Sequence, residues 1–100
     1  MIVTIVRAGG LAALVRRTEL DSAVLPPDAA AALRELVDAL PWDPPSSAAD
    51  PDELHYDLSV ADGEMTWNVR TTEQGLADEE RLLIAFVDGR DERIDSVEPL

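Results

Sequence analysis

The sequence predicts an α+β fold, a two-layer sandwich in which two helices cover one face of a four-stranded antiparallel sheet. Two pairs of segments alternate apolar and polar residues, which is the pattern of strands with one wet face. Two other segments repeat apolar residues at helical spacing. A chain of 100 residues with 46% hydrophobic content suits one domain, residues 1–100, with a thin core. The predicted element order is β-β-α-β-β-α.

The first hairpin is predicted at the N-terminus. The segment from Ile2 to Arg7 is rich in β-branched residues, which favour strands. Ala8-Gly9-Gly10 supplies the backbone freedom of a tight turn, because glycine adopts positive φ readily. Leu11 to Leu20 forms the returning strand. Its alternation is imperfect, so the sequence specifies this hairpin better than its register.

The first helix is predicted to follow Pro26-Pro27. Proline fits the first helical turn, and Asp28 suits the positive end of the helix dipole. Pro41 ends the helix. Its apolar stripe repeats at i, i+3, i+4 and i+7: Leu33, Leu36, Val37 and Leu40.

The next segment, residues 41–52, contains four prolines and is predicted to be an irregular loop. Its Trp42 has two interpretations. Aromatic residues often anchor a protein partner, and a tryptophan in such a loop can also cap the core beneath it.

The second hairpin is predicted around Asp62-Gly63, the pair favoured in a two-residue type I′ turn. Taken literally, this turn places Ala61 opposite Glu64. One face is then apolar and faces the core: Tyr56, Leu58, Val60, Met65, Trp67 and Val69. The other face is polar and wet, and it pairs Ser59 with Thr66, Asp57 with Asn68 and His55 with Arg70.

The second helix is predicted to begin near Asp78, a good N-cap, with Glu79 and Glu80 in its first turn. Gly89 fits the C′ position after it. Its apolar side consists of Leu82, Leu83, Phe86 and Val87. Residues 90–100 are polar and are predicted to form a loosely held C-terminal tail.

The charge of the chain is strongly negative and unevenly spread. Its formal net charge is −13; residues 1–20 carry +2 and the rest −15. An acidic surface repels phosphate backbones, so nucleic-acid binding is disfavoured, with mimicry of DNA as the exception. The positively charged N-terminal segment suits an acidic partner, although a solvated charged surface explains the charge distribution equally well.

The sequence has neither an apolar run long enough to span a bilayer nor a basic leader segment, so we expect a cytoplasmic protein without membrane contact. We also expect the protein to be monomeric when free.

Residues for catalysis are scarce in this sequence. His55 is the single histidine, and with Asp57 it is the one candidate for general-base work. The serines lack the context of a nucleophile elbow. Asp50, Asp52 and Glu53 lack the glycine and the ligand number of a calcium loop. We therefore predict no catalytic, cofactor-binding or metal-binding residues.

The N-terminal hairpin carries a family resemblance. It reads Arg7-Ala8-Gly9-Gly10-Leu11-Ala12-Ala13-Leu14 and continues as Arg16-Arg17-Thr18-Glu19-Leu20-Asp21. This pattern resembles the opening of emfourin-like proteins, usually Arg-Ser-Gly-Gly-Phe-Ala-Gly-Ile, a second strand, then Glu-hydrophobic-Asp. Leu25-Pro26-Pro27-Asp28 and the later helices and hairpin are similar in order and length, over residues 1–89.

The resemblance implies an inhibitor of thermolysin-like zinc metalloproteases that occludes the active-site cleft and needs no cofactor. The expected protease-binding residues are Arg7, Ala8, Gly9, Gly10 and Leu11, with the Met1 amine nearby. Such enzymes prefer substrates with a bulky apolar residue just after the scissile bond, and Leu11 suits the pocket that binds this residue. Alternatively, Leu11 packs inward against the core of its own domain. The competing functions are an acidic interaction or regulatory module with an unrelated protein target, and an enzyme that uses His55 and Asp57.

Overall fold

The computed structural model describes residues 1–9, 14–40 and 54–99. They form an antiparallel sheet, two α-helices and one short 3-10 helix. The elements are β1 (Ile2–Gly9), β2 (Leu14–Asp21), the 3-10 helix (Ser22–Val24), α1 (Pro27–Asp38), β3 (Leu54–Asp62), β4 (Met65–Thr72), α2 (Asp78–Asp88) and β5 (Ile94–Pro99).

The sheet has five strands in the order β4-β3-β1-β2-β5, so β1 lies at its centre. The prediction of an α+β fold is confirmed, but the prediction of four strands is wrong, and the element order is β-β-α-β-β-α-β. The additional strand, β5, lies in the stretch predicted to be a loose tail. Its sequence shows no strand pattern because its two β-branched apolar residues, Ile94 and Val97, are three positions apart and the remaining residues are mostly polar.

A polar contact fastens β5 to β2. The hydroxyl of Thr18, itself fully buried, donates a hydrogen bond of 2.7 Å to Asp95 Oδ1. Arg16 and Arg93 both lie within ion-pairing distance of the same carboxylate. The Thr18 hydrogen bond, together with the two arginines, lowers the pKa of Asp95 below its ordinary value. An edge strand without an apolar face is therefore held by backbone pairing and one carboxylate.

The β3–β4 hairpin differs from its predicted register by two residues. Asp62 pairs with Met65, so the turn consists of Gly63 and Glu64, and Gly63 has a φ of +62°. Gly63 thus takes the first turn position, where the prediction had placed it second. Because a shift of two residues keeps every side chain on its face, the predicted apolar and polar faces survive the error.

The core lies between one face of the sheet and the two helices. Buried sheet residues are Val3, Ile5, Leu20, Leu58, Val60 and Val69, and the helices contribute Ala29, Leu33, Val37, Leu83 and Val87. Tyr56, Trp67, Leu36 and Phe86 pack partly buried against this cluster. The predictions for Met65 and Leu82 are wrong, since both are exposed. The opposite face of the sheet, which we call the open face, has no helix on it among the described residues.

The helix ends follow the sequence signals with two exceptions. The predicted N-cap of α2 was Asp78, but the N-cap in the structure is Ala77. The backbone N–H of Ala77 donates a hydrogen bond of 2.7 Å to Glu80 Oε1. Glu80 is consequently buried, although the sequence pattern treats it as a surface residue. Gly89 is the C-cap with a φ of −85°, so it does not use the left-handed conformation expected at C′. Within the described ranges no helix is long and apolar enough to cross a membrane.

Candidate functional site

The candidate site is the end of the β1–β2 hairpin. Arg7, Ala8 and Gly9 are the last three residues of β1, and Arg7 pairs with Arg16 across the ladder. The other two predicted site residues, Gly10 and Leu11, lie outside the described residues. β1 is bonded on both sides, to β2 and to β3, so the strand that carries the turn is fixed by the whole sheet.

Gly9 has a φ of +100°, a conformation that residues with a Cβ rarely adopt. Gly9 still pairs with Leu54 of β3. The last residue of β1 therefore has a backbone conformation that favours glycine. The sequence predicted such backbone freedom for Ala8-Gly9-Gly10; Gly9 shows it, and Gly10 lies outside the described residues.

Arg7 points to the helix side of the sheet and is bound there. Its Nη2 donates hydrogen bonds of 2.8 Å and 2.9 Å to the two carboxylate oxygens of Asp88, the last residue of α2. Its guanidinium also lies over the ring of Tyr56, 5.8 Å from the centroid, within cation–π distance. The Arg7 side chain is only 12% exposed and the Asp88 side chain 37%.

The Arg7–Asp88 ion pair therefore joins the end of β1 to the end of α2. Asp88 also lies at the negative end of the helix dipole, where an unpaired carboxylate is unfavourable and a cation is favourable. No local sequence pattern predicts this contact, because 81 positions separate the two residues. Arg7 Nε is buried without a hydrogen-bond partner among the described residues.

Met1 lies at the opposite end of β1 from the turn. Its carbonyl accepts a hydrogen bond of 2.9 Å from the Ser22 N–H, and its side chain packs partly buried against the core. It lines a cavity with Arg34 and Trp67, among others. Ile2 and Gly9 are the ends of an extended strand and are separated by seven residue steps of about 3.3 Å each. The expectation that the Met1 amine lies near the turn is therefore wrong.

His55 and Asp57 share the open face, as predicted, but with other partners. Asp57 pairs with Arg70, whose Nη2 lies 3.3 Å from Asp57 Oδ2, and it also accepts a hydrogen bond from Asn68. His55 lies opposite Thr72. In the described part of the chain no hydrogen bond joins His55 to Asp57, so the carboxylate does not orient the imidazole as a general base requires.

A cavity of about 280 Å³ opens on the sheet beside the hairpin end. It is lined by Val6, Ala8, His55, Tyr56, Asp57 and Arg70. Among residues 1–9, 14–40 and 54–99 no group of three or more histidine or acidic side chains is arranged to hold a metal ion. Asp50, Asp52, Glu53 and Trp42, which the sequence singled out, lie outside the described residues.

Comparison with models of protein families shows the family to which the chain belongs. The family model for Emfourin matches residues 5–88. The chain belongs to the Emfourin family. Neither a curated protein nor a solved structure matches it. The Emfourin match begins within β1 and ends at Asp88, so it includes both partners of the Arg7–Asp88 ion pair and ends before β5.

Proposed function

We propose that this Emfourin protein inhibits a thermolysin-like zinc metalloprotease by inserting the β1–β2 hairpin into its active-site cleft. The observation that carries the proposal is the Emfourin match over residues 5–88. The protein acts by binding alone, as the scarcity of catalytic residues in the sequence suggests.

The construction of the hairpin supports this role. An inhibitor loses less entropy on binding when its inserted segment is already fixed in the bound conformation. β1 is the central strand, and Arg7 fastens its end to α2 through Asp88. The end of β1 nearest the turn is thus held by both neighbouring strands and by the Arg7–Asp88 ion pair.

The residues from Arg7 to Leu11 have two proposed roles, insertion into the cleft and positioning of the inserted turn. Gly9 and Gly10 allow close approach of the backbone, and Leu11 enters the apolar pocket of the protease. Ala8 is half-buried on the open face next to them. Arg7 is bound to Asp88 in the free protein, so we assign it a positioning role behind the turn in place of a direct contact.

The experiment measures inhibition constants against a thermolysin-like protease for the wild type and for Leu11→Asp. The substitution puts a carboxylate into an apolar pocket near the zinc-site glutamates, and a central anchor residue contributes about 2 kcal/mol or more. We expect inhibition to weaken at least about thirty-fold, with unchanged urea unfolding. Gly10→Val, which adds β-branched bulk to the turn, should weaken inhibition as well.

The control variant is Glu79→Ala. Glu79 is exposed in the first turn of α2, whereas neighbouring Glu80 is buried and would perturb the helix end. Equal inhibition by the wild type and Leu11→Asp would show that the hairpin tip is not the binding site. A wild-type protein that inhibits no such protease would favour the competing function, an acidic interaction module with an unrelated protein target.

A further inference from the structure

A cavity of about 220 Å³ lies on the open face, at the end of the sheet away from the β1–β2 turn. The register brings apolar and acidic residues together there. Ile2 of β1 lies opposite Asp21 of β2, and Ile94 of β5 lies opposite Glu19 of β2. The lining of the cavity consists of three apolar and three acidic residues: Ile2, Val24, Ile94, Glu19, Asp21 and Glu92.

The three apolar side chains of this cavity are all exposed. Scattered exposed apolar residues are ordinary, but a group that shares one concave surface is typical of a binding site. Four other large apolar side chains of the described segments are exposed, and none of them lines this cavity: Leu14, Met65, Leu82 and Val97. The cavity is therefore a place where exposed apolar side chains converge.

The carboxylates give the cavity a negative charge. Glu92 is neutralised by Arg90, which donates hydrogen bonds of 3.1 Å and 2.9 Å to it. Asp21 Oδ1 accepts only the backbone N–H of Ala23, at 2.9 Å. Glu19 has no side-chain partner within the described ranges, and Arg17, two residues away on the same strand, forms no ion pair with it. Two carboxylates at this cavity thus lack a counter-ion.

The cavity favours one class of cationic ligand. The part of the chain that the structure describes contains no group of three or more histidine or acidic side chains arranged to hold a metal ion. The volume of about 220 Å³ is below the roughly 300–1,000 Å³ of sites for drug-sized molecules. The negative charge repels nucleic acids and anionic lipid surfaces. An apolar side chain of a protein segment, flanked by lysine or arginine, complements both the apolar wall and the two carboxylates.

The cavity is separate from the turn that we propose for protease binding. It lies at the Ile2 end of β1, whereas the turn follows Gly9 at the other end. The Emfourin match covers residues 5–88, so Ile2, Glu92 and Ile94 lie outside it. Half of the cavity lining is thus contributed by the segments that flank the matched region.

We propose that this cavity is a second protein-binding site, which takes an apolar side chain flanked by basic residues of a partner other than the protease. Ile2, Val24 and Ile94 contact the apolar side chain. Glu19 and Asp21 pair with the lysine or arginine residues on either side of it. This site goes beyond the proposed inhibition, because it needs neither the turn nor the protease.

The test is a titration of the whole chain with the peptide acetyl-Arg-Arg-Leu-Arg-Arg-amide, followed through the backbone amide shifts in NMR spectra. We expect saturable binding, with the largest shift changes at Glu19, Asp21 and Ile94. A net charge of −13 attracts any basic peptide, so a second peptide with serine in place of leucine is the reference. It should bind at least about three-fold more weakly, because it lacks the apolar side chain.

Two variants with matched controls locate the site. Glu19→Gln removes a charge at the cavity, and Glu79→Gln removes the same charge from the exposed first turn of α2. Ile94→Ser removes an apolar side chain that is 67% exposed, and Leu82→Ser removes one that is 59% exposed on α2. We expect Glu19→Gln and Ile94→Ser each to raise the Kd about three-fold or more, and both controls to bind like the wild type.

The outcomes distinguish this site from general attraction of charge. Equal weakening by Glu19→Gln and Glu79→Gln would assign the binding to net charge and overturn the site. Equal affinity for the leucine and serine peptides, shift changes centred elsewhere, or no saturable binding would overturn it as well. No protease enters the titration, so its result is independent of the proposed function.

Discussion

The ion pair between Arg7 and Asp88 gives the sharpest stability prediction. Asp88→Ala removes the acceptor of two hydrogen bonds, of 2.8 Å and 2.9 Å, and leaves a guanidinium that is 12% exposed without its counter-ion. Stranding a fully buried charge costs about 3–5 kcal/mol, and losing a hydrogen bond to a charged group about 1.5–3 kcal/mol. Because Asp88 is 37% exposed and water reaches that side of the pair, we expect the lower end, about 2 kcal/mol.

The assay is a double-mutant cycle followed by urea unfolding and circular dichroism. Arg7→Met, Asp88→Ala and the double variant should give a coupling energy of about 1–2 kcal/mol. The matched cycle uses Arg34 and Asp62, whose ion pair is exposed, with 56% and 37% of the side chains accessible. That pair should couple by only about 0.5 kcal/mol.

A coupling between Arg7 and Asp88 as small as that of the exposed pair would refute the reasoning. It would mean that water satisfies the guanidinium in the folded protein and that the end of β1 is not fastened to α2. The positioning role assigned to Arg7 would then lose its basis.

Two further predictions concern the turn and the last strand. Gly9→Ala and Gly63→Ala both introduce a Cβ at positive φ and should each destabilise the fold by about 1–2 kcal/mol, but only Gly9→Ala should weaken protease inhibition. Similar losses of inhibition would assign the effect to general destabilisation. Thr18 and the neighbouring arginines lower the pKa of Asp95 in the folded protein. The ionised carboxylate therefore stabilises the fold above the pKa that Asp95 has in the unfolded chain. This contribution is lost as the pH falls through the lower pKa of the folded state. Urea midpoints of wild type and Asp95→Asn should therefore differ near neutral pH and converge as the pH falls through the folded-state pKa of Asp95; a constant difference would contradict the Thr18–Asp95 contact.

The elements that the sequence predicted are those encoded by local pattern. The repeat from Leu33 to Leu40 and the Pro26-Pro27 start specify α1 without reference to the rest of the chain. The faces of β3 and β4 were also correct, because alternation alone assigns a side chain to a face. The register was wrong because Asp62-Gly63 and Gly63-Glu64 both place glycine in a two-residue turn, and local preference does not decide between them.

The features that the sequence missed depend on contacts between distant segments. β5 is a strand because β2 presents a free edge and Thr18 binds Asp95, and its own residues show no apolar alternation. Arg7 was assigned to the partner because it belongs to the basic N-terminal hairpin that carries the family resemblance, whereas the register directs it to the helix side. For the candidate site, the sequence predicts the residues Arg7 to Leu11, and the structure adds that Arg7 is bound to Asp88 on the helix side of the sheet.

Competition with substrate tests the central claim, occlusion of the protease cleft, most directly. Inhibition of a thermolysin-like protease by the wild-type protein is measured at increasing concentrations of a peptide substrate. Occlusion of the cleft predicts an apparent inhibition constant that rises linearly with substrate concentration, with kcat unchanged at saturating substrate. Inhibition that is independent of substrate concentration, or no inhibition at all, would contradict insertion of the β1–β2 hairpin into the cleft.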